Sequence, residues 1–249
     1  MPASNLKQRD PLDDFERRDV TLQGESKLVF VAGRGPAVIV MTEMPGISPE
    51  VARFARFVRD AGFTVWMPNL FGDPGRVPTI GKGALTILRA CVSREFRAFA
   101  ANASSPVTQW LRALAAHAHP LCGGKGVGAI GMCFTGNFAL TMMLDPVMLA
   151  PVLAQPTLPL GDPGGLEIAP DELRAVRDRL EREDLTVLAY RFAGDTFCTA
   201  ANPDVPPFFA RHVRSPHSVV TAHLIDEAGQ PTIAARDEIL AFFALHLRR

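Results

Sequence analysis

Short apolar runs alternate with stretches of helical periodicity along most of this chain, and that alternation leaves few folds open to it. Runs at residues 28–31, 38–41, 63–67, 127–130 and 185–192 have the length and composition of strands. They are apolar on successive residues, as expected of strands whose two faces are both covered by helices. The pattern predicts an α/β fold with a mostly parallel central sheet and helices on both faces.

The helices between these runs carry their own boundary signals. Ser48 suits a helix cap and Pro49 a first helical position. Val51, Phe54, Phe57 and Val58 then form one apolar stripe, and Gly62 stops the helix. Ser105 and Pro106 repeat the signal ahead of Val107, Trp110, Leu111 and Leu114, spaced i, i+3, i+4, i+7. Leu173, Val176 and Leu180 mark a third helix, and Ile239, Phe242 and Phe243 a last one. All four stripes read as core packing. Residues 1–27 read as an irregular N-terminal segment and the Pro/Gly-rich residues 158–165 as a surface loop. With no repeat and no long linker, residues 1–249 read as a single domain.

Composition narrows the function classes. Hydrophobic residues make up 47% of the chain, too many for a disordered protein. Lys+Arg and Asp+Glu stand at 26 each, which leaves no basic footprint for nucleic acid or an anionic membrane surface. The first ten residues lack the apolar core of a signal peptide. No stretch reaches the ~18–20 apolar residues of a membrane-spanning helix. Cysteines at 91, 122, 133 and 198 are sparse and irregularly spaced, and read as reduced thiols. The expectation is a soluble cytoplasmic protein with neither nucleic acid nor membrane as partner. The sequence assigns no oligomeric state.

The most chemically informative segment is residues 126–140. A small-residue strand runs into Gly131-Met132-Cys133, and a helix-compatible apolar stretch follows at once. This is the form of a nucleophile elbow, with Cys133 where many hydrolases carry serine. Glycine lets the chain turn sharply and present the sulfur at the strand end. A helix amino terminus at that point favours thiolate, and the N–H of Phe134 becomes an oxyanion-hole donor. The competing reading of Cys133 is an inert packed thiol. A dinucleotide fingerprint, Gly126-x-Gly128-x-x-Gly131, is set aside because its glycines fall inside the strand instead of after it.

A hydrolase of this type orders its residues nucleophile, acid, histidine. Asp195 falls just past the run 185–192, where the acid belongs, although an ordinary turn Asp also suits that place. His217 is the favoured histidine, since it follows an irregular stretch and leaves room for a complete last helix. His223, in an apolar run, and His212 remain alternatives.

Three segments together, residues 38–47, the Cys133 elbow, and Gly194-Asp195 with the later His217-Ser218, resemble the dienelactone hydrolase family. The resemblance extends over most of residues 28–247. Members of that α/β-hydrolase family open a cyclic enol-lactone with a Cys-His-Asp triad. The resemblance implies that Glu43 contacts the nucleophile and helps form its thiolate, and that the N–H of Met44 is the second oxyanion donor. It also implies that Arg94 holds a substrate carboxylate. The chain departs from the family pattern in three places. Thr135 stands where the elbow usually has Gly, the interval from Asp195 to His217 is short, and no second Arg follows His217.

The sequence thus points to hydrolysis of a small-molecule lactone or related carboxylic ester by Cys133, His217 and Asp195, a mechanism that requires no metal or organic cofactor. A thioesterase or acyltransferase on the same fold is the nearest alternative, and a non-catalytic binding or redox-sensing protein the more distant one. The group His117-x-His119-x-x-Cys122 is set aside as a metal site. Histidines two apart point to different sides of a helix, Pro120 is expected to interrupt it, and no fourth ligand is evident.

Overall fold

The computed structural model describes residues 9–42, 46–76, 106–154, 156, 168–190 and 233–248. Among the described residues its centre is a sheet of seven strands in the order β1-β2-β4-β3-β5-β6-β7. The strands are β1 (Glu16–Leu22), β2 (Glu25–Gly33), β3 (Ala37–Met41), β4 (Thr64–Pro68), β5 (Val127–Met132), β6 (Met148–Ala154) and β7 (Leu188–Tyr190). β2 runs antiparallel to both its neighbours, whereas β4, β3, β5, β6 and β7 are mutually parallel. The expected mostly parallel sheet is therefore present.

Strands β3, β4 and β5 are buried at every residue. Their side chains alternate between two cores, as the two-residue period of a strand dictates. Ile39 and Met41 face one layer, with Trp66, Trp110, Leu111, Leu114 and Phe138. Val38 and Val40 face the other, with Val51, Phe54, Val58, Ile239 and Phe243. Helices α1 (Pro49–Asp60) and α5 (Ile233–Leu247) cover the second layer. Helices α2 (Val107–Cys122), α3 (Gly136–Met142) and α4 (Pro170–Arg182) cover the first.

Local chemistry accounts for the helix ends. Ser48 caps α1, its hydroxyl accepting the N–H of Val51 at 3.3 Å, and Pro49 fills the first position. Gly62 takes φ +88 just beyond the helix, a left-handed turn suited to glycine. At α2 the cap position falls on Pro106, which offers no side-chain bond, and Ser105 lies outside the described residues.

Three expectations are corrected. The segment 1–27 is not irregular throughout, because β1 occupies Glu16–Leu22 and pairs with β2 through a hairpin. Gln23 and Gly24 turn that hairpin with φ of 53 and 80, the paired left-handed conformation that matches strand twist. β1 is an edge strand with only Val20 buried, so it carries no apolar run to recognise. β6 was not expected either. It lies between β5 and β7 with Pro151 inside it, and proline ordinarily argues against a central strand. Lastly, Pro120 does not interrupt α2, which continues to Cys122. So close to the carboxyl end, a proline removes one backbone bond without ending the helix.

β7 spans Leu188–Tyr190 within the run read at 185–192; residues 191 and 192, like residues 158–165, lie outside the described residues. Among the described residues, no helix is long and apolar enough to cross a membrane.

Candidate active site

The register of β3 against β5 fixes where the elbow sits. Met41 pairs with Gly131, so the two strands reach their carboxyl ends side by side at the centre of the sheet. β5 ends at Met132, a three-residue 3-10 turn spans Cys133–Thr135, and α3 begins at Gly136. The chain reverses from strand to helix within those few residues.

Cys133 takes φ +53, the left-handed region. An L-residue with a Cβ carries a penalty of about 1–2 kcal/mol there. Side chains persist in such conformations where the surroundings over-determine them, and these positions cluster at active sites. Two glycines make the turn possible. A Cβ on Gly131 would overlap the carbonyl oxygen of Thr135, and one on Gly136 would lie 2.6 Å from the Cα of Pro156. The turn is thus pressed against its own strand on one side and against the chain after β6 on the other.

The residues following Cys133 are buried. Phe134 is 6% exposed, with its ring edge-on to Phe71 at 5.8 Å and to Phe138 at 5.6 Å. Cys133 itself is half-buried and is not in a disulfide. The elbow therefore sets a half-buried cysteine next in sequence to a packed aromatic residue.

Thr135, flagged in the sequence only as a departure from glycine, is fully buried at the turn. Its Oγ1 accepts the N–H of Met132 at 2.9 Å. The same hydroxyl lies 3.1 Å from the carbonyl oxygens of Thr42 and Met132 and 3.3 Å from that of Met41. Sequence reading marked the position without finding this role.

Of the residues expected at the site, Cys133 and Phe134 are described and stand together at the end of β5. Glu43, Met44, Arg94, Asp195 and His217 lie outside the described residues, as do His212 and His223. The described strands still fix where the chain departs. Because β3, β5 and β7 are parallel, Met41, Met132 and Tyr190 all lie toward the same end of the strands.

The His117, His119 and Cys122 side chains are engaged elsewhere. The His117 ring stands edge-on to Trp66 at 5.8 Å, His119 Nε2 is 3.3 Å from the carbonyl oxygen of Gly124, and Cys122 Sγ accepts the indole N–H of Trp66 at 3.3 Å. Among the described residues, no group of three or more His, Cys, Asp or Glu is placed to hold a metal ion.

Comparison with known proteins fits this geometry. The putative dienelactone hydrolase of Klebsiella pneumoniae superposes with a TM-score of 0.53 at 18% identity, over 93% of this chain and 98% of that one. The dienelactone hydrolase of Anabaena variabilis gives 0.56 at 15% identity, over 94% and 100%. A dienelactone hydrolase-like promiscuous phosphotriesterase from metagenomic libraries, P91, gives 0.52 at 20% identity, over 93% and 98%. At these identities the likeness establishes the α/β-hydrolase fold. No curated protein matches the chain in sequence. The profile of the dienelactone hydrolase family, however, matches residues 25–156, more than half of the chain and all of the segment from β2 through the elbow to β6. By that match the chain belongs to the dienelactone hydrolase family.

Proposed function

We propose that the protein hydrolyses a lactone or related carboxylic ester of a small molecule, with Cys133 as nucleophile. The observation that carries the reading is the left-handed backbone of Cys133 at the carboxyl end of the central strand β5. A strained, half-buried cysteine on a sharp strand-to-helix turn is difficult to account for by packing alone.

In this reading His217 takes the proton of the Cys133 thiol, and the resulting thiolate attacks the ester carbonyl carbon, forming a C–S bond and a tetrahedral oxyanion. The N–H groups of Phe134 and Met44 hold that oxygen. Collapse breaks the C–O bond, and the leaving oxygen takes a proton from His217. Water, deprotonated by His217, then cleaves the acyl-enzyme and restores the thiol system. Asp195 orients His217 and stabilises its charged form. Glu43 assists formation of the thiolate, and Arg94 receives a carboxylate on the substrate. Glu43 follows β3 and Asp195 follows β7 by a few residues in the sequence. Both strands discharge at the edge that carries the elbow, which supports grouping these residues.

The experiment is turnover of a dienelactone and of 4-nitrophenyl acetate by the wild type, Cys133→Ala and His217→Ala. Loss of turnover in both variants is expected. Wild-type-like rates in both would overturn the mechanism. Cys133-dependent turnover of the simple ester alone would keep the nucleophile and move the substrate away from dienelactones.

A further inference from the structure

We propose that Thr135 is a positioning residue for the reaction at Cys133, holding the elbow against the carboxyl end of β3. The inference rests on the reading of Cys133 as nucleophile.

The Thr135 backbone has φ −86 and ψ 0, so this position needs no glycine for its own torsions. The side chain admitted there reaches four backbone groups. A hydroxyl has one proton and two acceptor lone pairs. It accepts from the N–H of Met132, and its proton is shared among the carbonyl oxygens of Thr42, Met132 and Met41. Two of those carbonyls belong to the end of β3 and the residue after it, and the other two groups belong to the last residue of β5.

The placement matters because the β3–β5 ladder ends at the pair Met41–Gly131. Beyond it β5 runs through Met132 into the elbow, and Thr42 follows β3. The Thr135 hydroxyl continues the connection one step past the ladder. In the proposed mechanism the elbow carries the thiolate and one oxyanion donor, and the Thr135 hydroxyl ties that turn to the last residue of β5 and to the end of β3. The turn must be held closely, since a misplacement of about 1 Å can reduce a rate on the order of a hundredfold. Thr135 is fully buried, so its effect falls on the reacting geometry and not on substrate binding.

The test uses the full chain with 4-nitrophenyl acetate as probe and compares Thr135→Ser, Thr135→Ala and Thr135→Val with the wild type and Cys133→Ala. Serine keeps the hydroxyl, and kcat is expected to stay within about threefold of the wild type. Alanine and valine remove it, and kcat is expected to fall at least about tenfold with KM changed by less than about twofold. Rescue by serine and a change confined to kcat distinguish positioning from a general packing role. If the valine variant does not fold, the serine–alanine pair decides. Equal kcat in serine and alanine, or a loss confined to KM, overturns the proposal. Wild-type-like turnover in Cys133→Ala overturns the nucleophile and this inference with it. Turnover lost in Cys133→Ala but retained in Thr135→Ala overturns the inference alone.

Discussion

The carbonyl oxygen of Thr135 occupies the place a side chain on Gly131 would need. The strand that leads into Cys133 and the turn that carries it are packed backbone to backbone, and only hydrogen fits between them. Gly131→Ala is therefore expected to force the elbow open. The obstructing atom is backbone and cannot swing aside, so a penalty of about 1–3 kcal/mol is expected, in line with overpacking of a filled core. Urea unfolding measures it. Loss of turnover on 4-nitrophenyl acetate beyond what the unfolded fraction explains would place the damage at Cys133.

Arg179 anchors the far side of the same layer. It is 6% exposed, and its guanidinium donates to the carbonyl oxygens of Met143 and Asp145 at 2.6 Å and of Pro146 at 2.8 Å, while Nε donates to Glu183 at 2.9 Å. One planar fork thus satisfies the chain between α3 and β6. Arg179→Met is expected to destabilise by about 2–4 kcal/mol, because it leaves buried carbonyls without donors. Arg179→Lys should recover only part of this, since an ammonium cannot reproduce the fork. Chemical denaturation of the two variants checks both statements.

Acid should loosen the docking of the N-terminal segment on α1. Arg56 bonds Asp14 and Asp10, and Arg59 also reaches Asp14. The Arg56 bond, opposed by partial burial and helped by Arg59, lowers the Asp14 carboxyl from its ordinary 3.8 to about 2. A folded-state value below the unfolded one gives stability that is present above the unfolded value and is lost as pH falls toward the folded one. The window is therefore from about 4 down to about 2. Asp14 is 39% exposed, so solvent and salt screen the contribution. The stability difference between wild type and Asp14→Asn should be constant near neutrality and shrink across that window. A difference that grows on acidification would contradict the assignment.

The chain's sole tyrosine gives a spectroscopic check on the sheet's far edge. Tyr190, 2% exposed at the end of β7, donates to Glu238 of α5 at 2.7 Å. Burial, with the neighbouring carboxylate adding to it, drives the phenol well above its ordinary value of 10.0. Phenolate absorbance should therefore appear only as the protein unfolds in base. Tyr190→Phe should cost about 1 kcal/mol. Ionisation near the ordinary value in the folded protein would show that the contact does not hold.

What could be read from the sequence was what is local. β3 and β5 are continuous apolar runs, and the glycine two residues before Cys133 identifies the elbow because turn and chemistry share one short segment. β1 could not be read, since an edge strand with one buried side chain has no apolar pattern. β6 was concealed by Pro151, which local rules treat as a break. Thr135 stood out only as an exception to a motif. Its partners at the end of β3 and one residue beyond lie 94 and 93 residues away in the chain, and only the parallel pairing of β3 with β5 brings them near.

The central claim is that Cys133 carries the acyl group during turnover. Acid quench during steady-state hydrolysis of 4-nitrophenyl acetate, followed by proteolysis and peptide mass spectrometry, tests it most directly. The expected result is an acetyl group on the peptide containing Cys133, absent from Cys133→Ala along with the turnover. Acetylation at another residue, with undiminished turnover in Cys133→Ala, would contradict it.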